Sequence, residues 1–247
     1  SITYYNNLFN CGDSICARQY WDKYFENSEK SVFTITHDSK MASNKYHDVI
    51  MFISSNKSSR IRQTCKCLGI TENSLFELAF AYLHHQEDEL HRNDVLFTKV
   101  VSGRDVMINN IENMVGTMIN IIPQRIYVKQ KYKEELMALN KRNVQNMAYD
   151  KMDFYQIEIN GRLLMEELQT MIVFCNYYDG RSCEFEYEYD RDQDDIDLSL
   201  YIDSLSDCYR LYLTCKESSY SISRANYLLS SYINCVVDIV NECSGNL

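Results

Sequence analysis

The residues with chemistry to offer are few and scattered. His84 and His85 adjoin each other with Asp88 close behind, and Asn120 and Arg125 share one β-rich run. His37 and His47 close the two ends of a polar loop, Cys65 and Cys67 stand two apart, and Asp190, Asp192, Asp194, Asp195 and Asp197 form an acidic run. Adjacent imidazoles beside a carboxylate could do acid–base work. His84 and His85, however, close an apolar helix, where histidine is favoured beside the C-terminal carbonyls. His37 and His47 read as solvated-loop residues. Cysteines two apart on a helix point to different sides, and no second pair completes a zinc set. An EF-hand counted from Asp190 needs glycine at its sixth position and glutamate at its twelfth; Asp195 and Tyr201 stand there, so the run reads as a solvated turn. Asn120 offers donors and acceptors, and Arg125 a forked donor suited to a carboxylate or to backbone carbonyls. No Gly-x-Ser-x-Gly elbow, phosphate loop or dinucleotide fingerprint occurs.

Composition sets the frame for these groups. With 247 residues, 45% hydrophobic and 24% charged, the chain buries a real core as one large domain or two small ones. A net charge of −10 argues against a sequence-independent nucleic-acid partner, which would require a basic footprint. The ten cysteines lack the spacing of a metal site or a compact disulfide scaffold and read as reduced, mostly buried thiols. No apolar run approaches a membrane span, and nothing resembles a signal peptide. Ser1 is not an initiator methionine, so it need not be the natural start.

Periodicity supplies the elements. Residues 1–27 read as a helix, capped by Asp13 or Ser14, with Ala17, Tyr20, Trp21, Tyr24 and Phe25 on one face. Val32–Thr36 and Val49–Ser54 read as strands, and Lys57–Leu68 as a helix stopped at Gly69. Thr71 caps a nearly all-apolar helix. Val95–Val101 and Gly116–Val128 follow as strands. Lys129–Asp150 reads as an amphipathic helix with Leu136, Leu139 and Met147 inward, and Phe154–Glu158 as a second helix on the polar surface. Met171–Tyr177 is a buried-type strand. The alternating runs Glu184–Tyr189, Leu198–Ile202 and Tyr209–Cys215 read as successive antiparallel strands, and a last helix starts near Ser221.

One stretch organises the rest. Residues 71–128 run from the apolar helix through a strand ending in Val101-Ser102-Gly103-Arg104, across an Asn/Asp-rich loop, into Val115-Gly116-Thr117-Met118-Ile119-Asn120-Ile121-Ile122-Pro123-Gln124-Arg125. This order resembles the second lobe of condensation domains from nonribosomal peptide synthetases. The wording ARQYWDKYFEN resembles the helix that follows the catalytic lobe there, and FCNYYDG, DLSLYI and CYRLYLTCK resemble later segments.

The resemblance implies an α/β lobe of the chloramphenicol-acetyltransferase-like kind, with a mixed, mostly antiparallel sheet backed by helices. Residues 1–30 would be the entry helix after a missing catalytic lobe, and residues 31–247 the C-terminal lobe. The family's His-His-x-x-x-Asp-Gly motif belongs to the first lobe, and no copy occurs here; from His84-His85, Asp88 is one position too near and Glu89 stands where glycine belongs.

The resemblance gives Asn120, Arg125, Gly116, Met118 and Arg104 a part in the substrate tunnel or in lobe geometry. Local hydrogen bonding of Asn120 and Arg125, and simple solvation of Arg104, are the structural alternatives. No metal and no directly bound cofactor are implied. The implied substrate is an aminoacyl group on the phosphopantetheine arm of a carrier protein, with the first lobe and neighbouring synthetase domains as further partners in the cytoplasm. An epimerisation domain, an acyltransferase and a non-catalytic carrier-binding scaffold are the alternatives. A severed lobe should also expose an apolar face beside Met118–Ile122.

Overall fold

The computed structural model describes residues 14–28, 45–102, 119–159, 162–176 and 196–245. In chain order the elements are α1 (Ser14–Phe25), β1 (Tyr46–Ile53), α2 (Ser55–Leu68), α3 (Glu72–Glu87), β2 (Asp94–Ser102), β3 (Ile119–Tyr127) and α4 (Tyr132–Asn146). A 3-10 turn (Phe154–Gln156), a short β4/β5 ribbon (Glu158–Ile159, Arg162–Leu163) and α5 (Leu164–Glu167) follow. The chain then forms β6 (Thr170–Cys175), β7 (Leu198–Ser204), β8 (Tyr209–Lys216) and α6 (Ile222–Ser244).

Local chemistry fixes the helix ends. Gly69 takes φ 65°, and Gly69 N and Ile70 N donate to the Lys66 and Cys65 carbonyls, a Schellman closure of α2. Thr71 Oγ1 accepts from Ser74 N at 3.2 Å to start α3, and Ser221 accepts from Arg224 N to start α6.

Among the described residues, six strands form one sheet in the order β1-β8-β7-β6-β2-β3. The β1/β8, β8/β7 and β2/β3 pairs are antiparallel, and β6 joins β7 and β2 in parallel. The sheet is therefore mixed and mostly antiparallel. In β8 every second residue, Tyr209, Leu211, Leu213 and Cys215, is buried, as the period of two requires. Leu198, Leu200 and Ile202 of β7 are buried in register with them. Helices α3 and α6 pack on each other, on the sheet and on α4.

Helix α3 is the most enclosed element: every residue from Ser74 to His84 is buried. Its polar side chains are met inside. The carboxylate of Glu77 takes Lys99 Nζ of β2 at 2.9 Å and Asn143 Nδ2 of α4 at 2.8 Å. Tyr82 Oη donates to Glu135 of α4 and accepts from Gln130 N.

Two expectations change. Helix α4 stops at Asn146, so Met147 lies past its end and is 48% exposed instead of turned inward. Only a 3-10 turn forms after Asp153, and Phe154 packs edge-on to Trp21 instead of extending a polar surface. The entry helix is described over Ser14–Phe25, residues 1–13 lying outside the described residues, with Ala17, Trp21 and Phe25 buried and Tyr20 and Tyr24 packed against the core. The strands expected at Val32–Thr36 and Glu184–Tyr189 lie outside the described residues, as do His37 and the acidic run from Asp190 to Asp195. The thiols of Cys65 and Cys235 are pushed up to about 12, first by burial, and act as core groups.

Because Glu77 and Lys99 are both withdrawn from water, the loss of one leaves the other charged and unpaired. Glu77→Ala should cost about 3–5 kcal/mol in chemical denaturation, and adding Lys99→Met should recover part of it by removing the orphaned ammonium.

Candidate functional site

The β2–β3 hairpin carries the organising motif. Its register sets Val101 against Asn120, Lys99 against Ile122 and Leu96 against Arg125. Gly103, Arg104, Gly116 and Met118 lie outside the described residues. Ile119, at the start of β3, is 56% exposed, whereas Ile122 is buried in the core.

Arg125 works as a clamp. Its Nε and Nη2 meet the two carboxylate oxygens of Asp94 at 2.7 and 2.8 Å, a bidentate pair in which Asp94 is almost fully buried. The same guanidinium donates through Nη1 to the carbonyls of Tyr24 and Glu26, both at 2.9 Å. Those carbonyls belong to the C-terminal end of α1, where a cation is favoured and unpaired acceptors are available. Tyr24 closes the contact in return: its hydroxyl donates to the Arg125 carbonyl at 3.0 Å and accepts from Arg125 N at 3.1 Å. Burial raises the pKa of the Tyr24 phenol and keeps it a donor.

Asn120 makes the second anchor. Its Nδ2 donates to the carbonyls of Asp150 and Met152, at 2.8 and 3.1 Å, and so ties the segment after α4 to the sheet. Trp21 Nε1 donates to the Tyr149 carbonyl and Tyr20 Oη to Asn146 Oδ1, so α1 and this segment also hold each other. Asn120 and Arg125 thus bond across 30 to 101 residues of sequence, not locally. The residue-by-residue reading missed Asp94. Its signal was available: once β2 and β3 pair, Asp94 is the diagonal neighbour of Arg125, two positions from Leu96.

His84 and His85 part company. His84 is buried, its Nε2 sharing a hydrogen bond with Thr170 Oγ1 at 3.1 Å and its ring edge-on to Phe80. Burial pulls its pKa down to about 3, with Asp88 offsetting only part of the fall, so it is a neutral core residue. The favourable placement of a cation at a helix end therefore does not account for His84. His85 instead turns to the cleft at the end of α3, its Nδ1 on the Arg92 carbonyl at 3.0 Å. Asp88 is engaged with Arg92. The three do not converge into an acid–base set. Among the described residues, no group of three or more His, Cys, Asp or Glu side chains could hold a metal ion, and no helix is long and apolar enough to cross a membrane. What the hairpin can do is hold two flanking segments in fixed positions beside a strand end that leaves Ile119 open.

The family model described as "Condensation domain" matches residues 14–244. Bacitracin synthase 3 of Bacillus licheniformis is 26% identical over 169 residues, covering 67% of this chain and 3% of that protein. Tyrocidine synthase 3 of Brevibacillus parabrevis is 30% identical over 167 residues, covering 66% of this chain and 2% of the relative. The chain thus spans only a small fraction of these curated relatives. The condensation domain from Monacolin K polyketide synthase aligns with a TM-score of 0.73 at 14% identity, over 96% of this chain and 60% of that one. The epimerization domain from the third module of tyrocidine synthetase B aligns with a TM-score of 0.71 at 12% identity, over 94% and 56%. At such identities the solved structures establish a shared fold.

Two outcomes test this geometry. Arg125→Ala should cost about 3–5 kcal/mol by stranding the Asp94 carboxylate, and should speed amide hydrogen exchange in residues 14–25 more than elsewhere. Arg125→Lys, which keeps the charge without the fork, should restore the exchange protection only in part. His84 sets an acid sensitivity. The unfolded histidine binds a proton below about pH 6.5, while the folded one resists until about 3. Its contribution is complete above 6.5 and lost as pH falls from there towards 3, at up to about 1.4 kcal/mol per pH unit. Denaturation between pH 7 and 4 should show a shallower loss in His84→Gln than in the parent chain.

Proposed function

The chain belongs to the condensation-domain family, and on that premise we propose that it is the acceptor-side half of such a domain, working in the cytoplasm on carrier-tethered substrates. In this reading residues 1–30 are the entry segment and residues 31–247 the C-terminal lobe. The lobe forms one wall of a cleft in which an amine on one carrier protein attacks the acyl thioester on another. The aminoacyl group arrives on the carrier's phosphopantetheine arm, so that arm is a partner-borne substrate.

The observation that carries the proposal is a disparity in extent. The family model covers residues 14–244 and the fold covers 96% of this chain against 60% of a solved condensation domain, while the sequence holds no His-His-x-x-x-Asp-Gly. The group acting on the amine would then come from the other lobe, with neighbouring synthetase domains as further partners. Asn120 and Arg125 would keep the wall in shape, with Gly116, Met118 and Arg104 contributing to the tunnel and its mouth. Positioning alone is a substantial part of such a reaction, because two tethered reactants gain most from being held in the attacking geometry.

The match to an epimerization domain supports a second reading, a lobe of that related enzyme on the same fold. One experiment reads both. The purified chain is incubated with donor- and acceptor-loaded carrier proteins, with and without a separately produced first lobe bearing His-His-x-x-x-Asp-Gly, and amide product and acceptor stereochemistry are followed by mass spectrometry and chiral analysis. Amide formation only with the added lobe is expected. Inverted stereochemistry without amide moves the assignment to epimerisation. Amide formation by the chain alone overturns the half-domain reading, and carrier binding of equal strength with and without the lobe indicates a scaffold.

A further inference from the structure

The turn between α3 and β2 is held far more tightly than a surface connection requires. The carboxylate of Asp88 accepts from Arg92 N and Nε, both at 2.8 Å, and from its Nη2, while His91 N donates to the Asp88 carbonyl at 2.9 Å. This closure sets His91 at φ 47°, in the left-handed region, where glycine would fit without steric cost. A histidine held there brings its imidazole back onto α3, with Nδ1 3.1 Å from the His85 carbonyl. His85, in the last turn of α3, reaches the other way, with Nδ1 3.0 Å from the Arg92 carbonyl.

Carbonyl oxygens only accept, so in both contacts Nδ1 carries the hydrogen, and Nε2 is the ring nitrogen left to act as a metal ligand. Donation of the second ring nitrogen to a carbonyl is the arrangement that orients metal-bound histidines. The two ring centres are 5.9 Å apart. Zn–N bonds of about 2.0–2.1 Å place a ring centre roughly 3.2 Å from the ion, so two rings on one ion lie roughly 5.2 Å apart at a tetrahedral angle and roughly 6.4 Å apart in line. The observed separation lies between these two values, so a small ring rotation brings both nitrogens onto one ion.

The surroundings favour a cation. Both rings line a cleft of about 390 Å³ together with Tyr82, Gln130, Tyr132 and Glu242. The cleft opens at the C-terminal, negative end of α3. The Tyr132 phenol has a raised pKa, first from burial and then from Asp238, Cys235 and Glu242.

We propose that His85 and His91 form an open two-histidine site for a divalent transition-metal ion of the zinc class, with water in the remaining positions. The site is independent of the acyl-transfer reading and stands or falls without it.

The sequence holds five histidines, so imidazole nitrogens can be followed individually in the 15N-labelled full chain by long-range proton–nitrogen NMR. Reading histidine nitrogens keeps zinc taken up by the thiols from counting as the site. Adding Zn2+ should move Nε2 of His85 and His91 together with one half-saturation point, leaving His47 and His84 in place. His91→Gly suits the positive φ better than histidine does, so the fold is retained, and the half-saturation concentration for His85 should rise at least about tenfold. Absence of movement at millimolar Zn2+, or an unchanged half-saturation in His91→Gly, overturns the proposal.

Discussion

Enclosure of α3 is the constraint from which the rest of the architecture follows. A helix with Ser74 through His84 all buried contributes a large apolar area, yet it also carries Glu77, Tyr82 and His84 out of water. Each would cost several kcal/mol if left unmet. Each is met by a different neighbour: Glu77 by Lys99 of β2 and Asn143 of α4, Tyr82 by Glu135 of α4, and His84 by Thr170 of β6. Apolar burial brings these elements together, and the polar pairs decide in which alignment they meet.

That alignment is what gives the motif strand a fixed platform. With β2 held by Lys99 to the buried helix, β3 pairs along β2 and presents Arg125 and Asn120 to the segments that flank it. Arg125 terminates α1 through its carbonyls and draws its own compensation from Asp94, so one guanidinium satisfies a helix end and a buried carboxylate together. The same α3 that anchors this platform ends in the turn that presents His85 and His91, at the opposite end of the helix from its Thr71 cap.

Much of this was open to reading from the chain. Thr71, Gly69 and Ser221 mark helix ends because caps are satisfied by residues one to four positions away. The alternations in β7 and β8 and the apolar run of α3 declare themselves because a strand or helix repeats its facing every two or every three to four residues. The order of segments around Asn120 and Arg125 resembled the family whose model matches residues 14–244. Met147 was misread because continuing a helical period past Asn146 assumes that the helix continues.

Sequence by itself thus determined most of the longer described elements through short-range periodicity, and the mixed α/β character and the family through resemblance to known segments in their order. Tertiary structure alone decided that β6 lies parallel between β7 and β2, that Arg125 finds Asp94 and the end of α1, that His84 is neutral in the core while His85 faces a cleft, and that His91 folds back upon His85. Those outcomes depend on which distant surfaces bury one another, and a charge or an imidazole acquires its role only when water has been removed from one side of it.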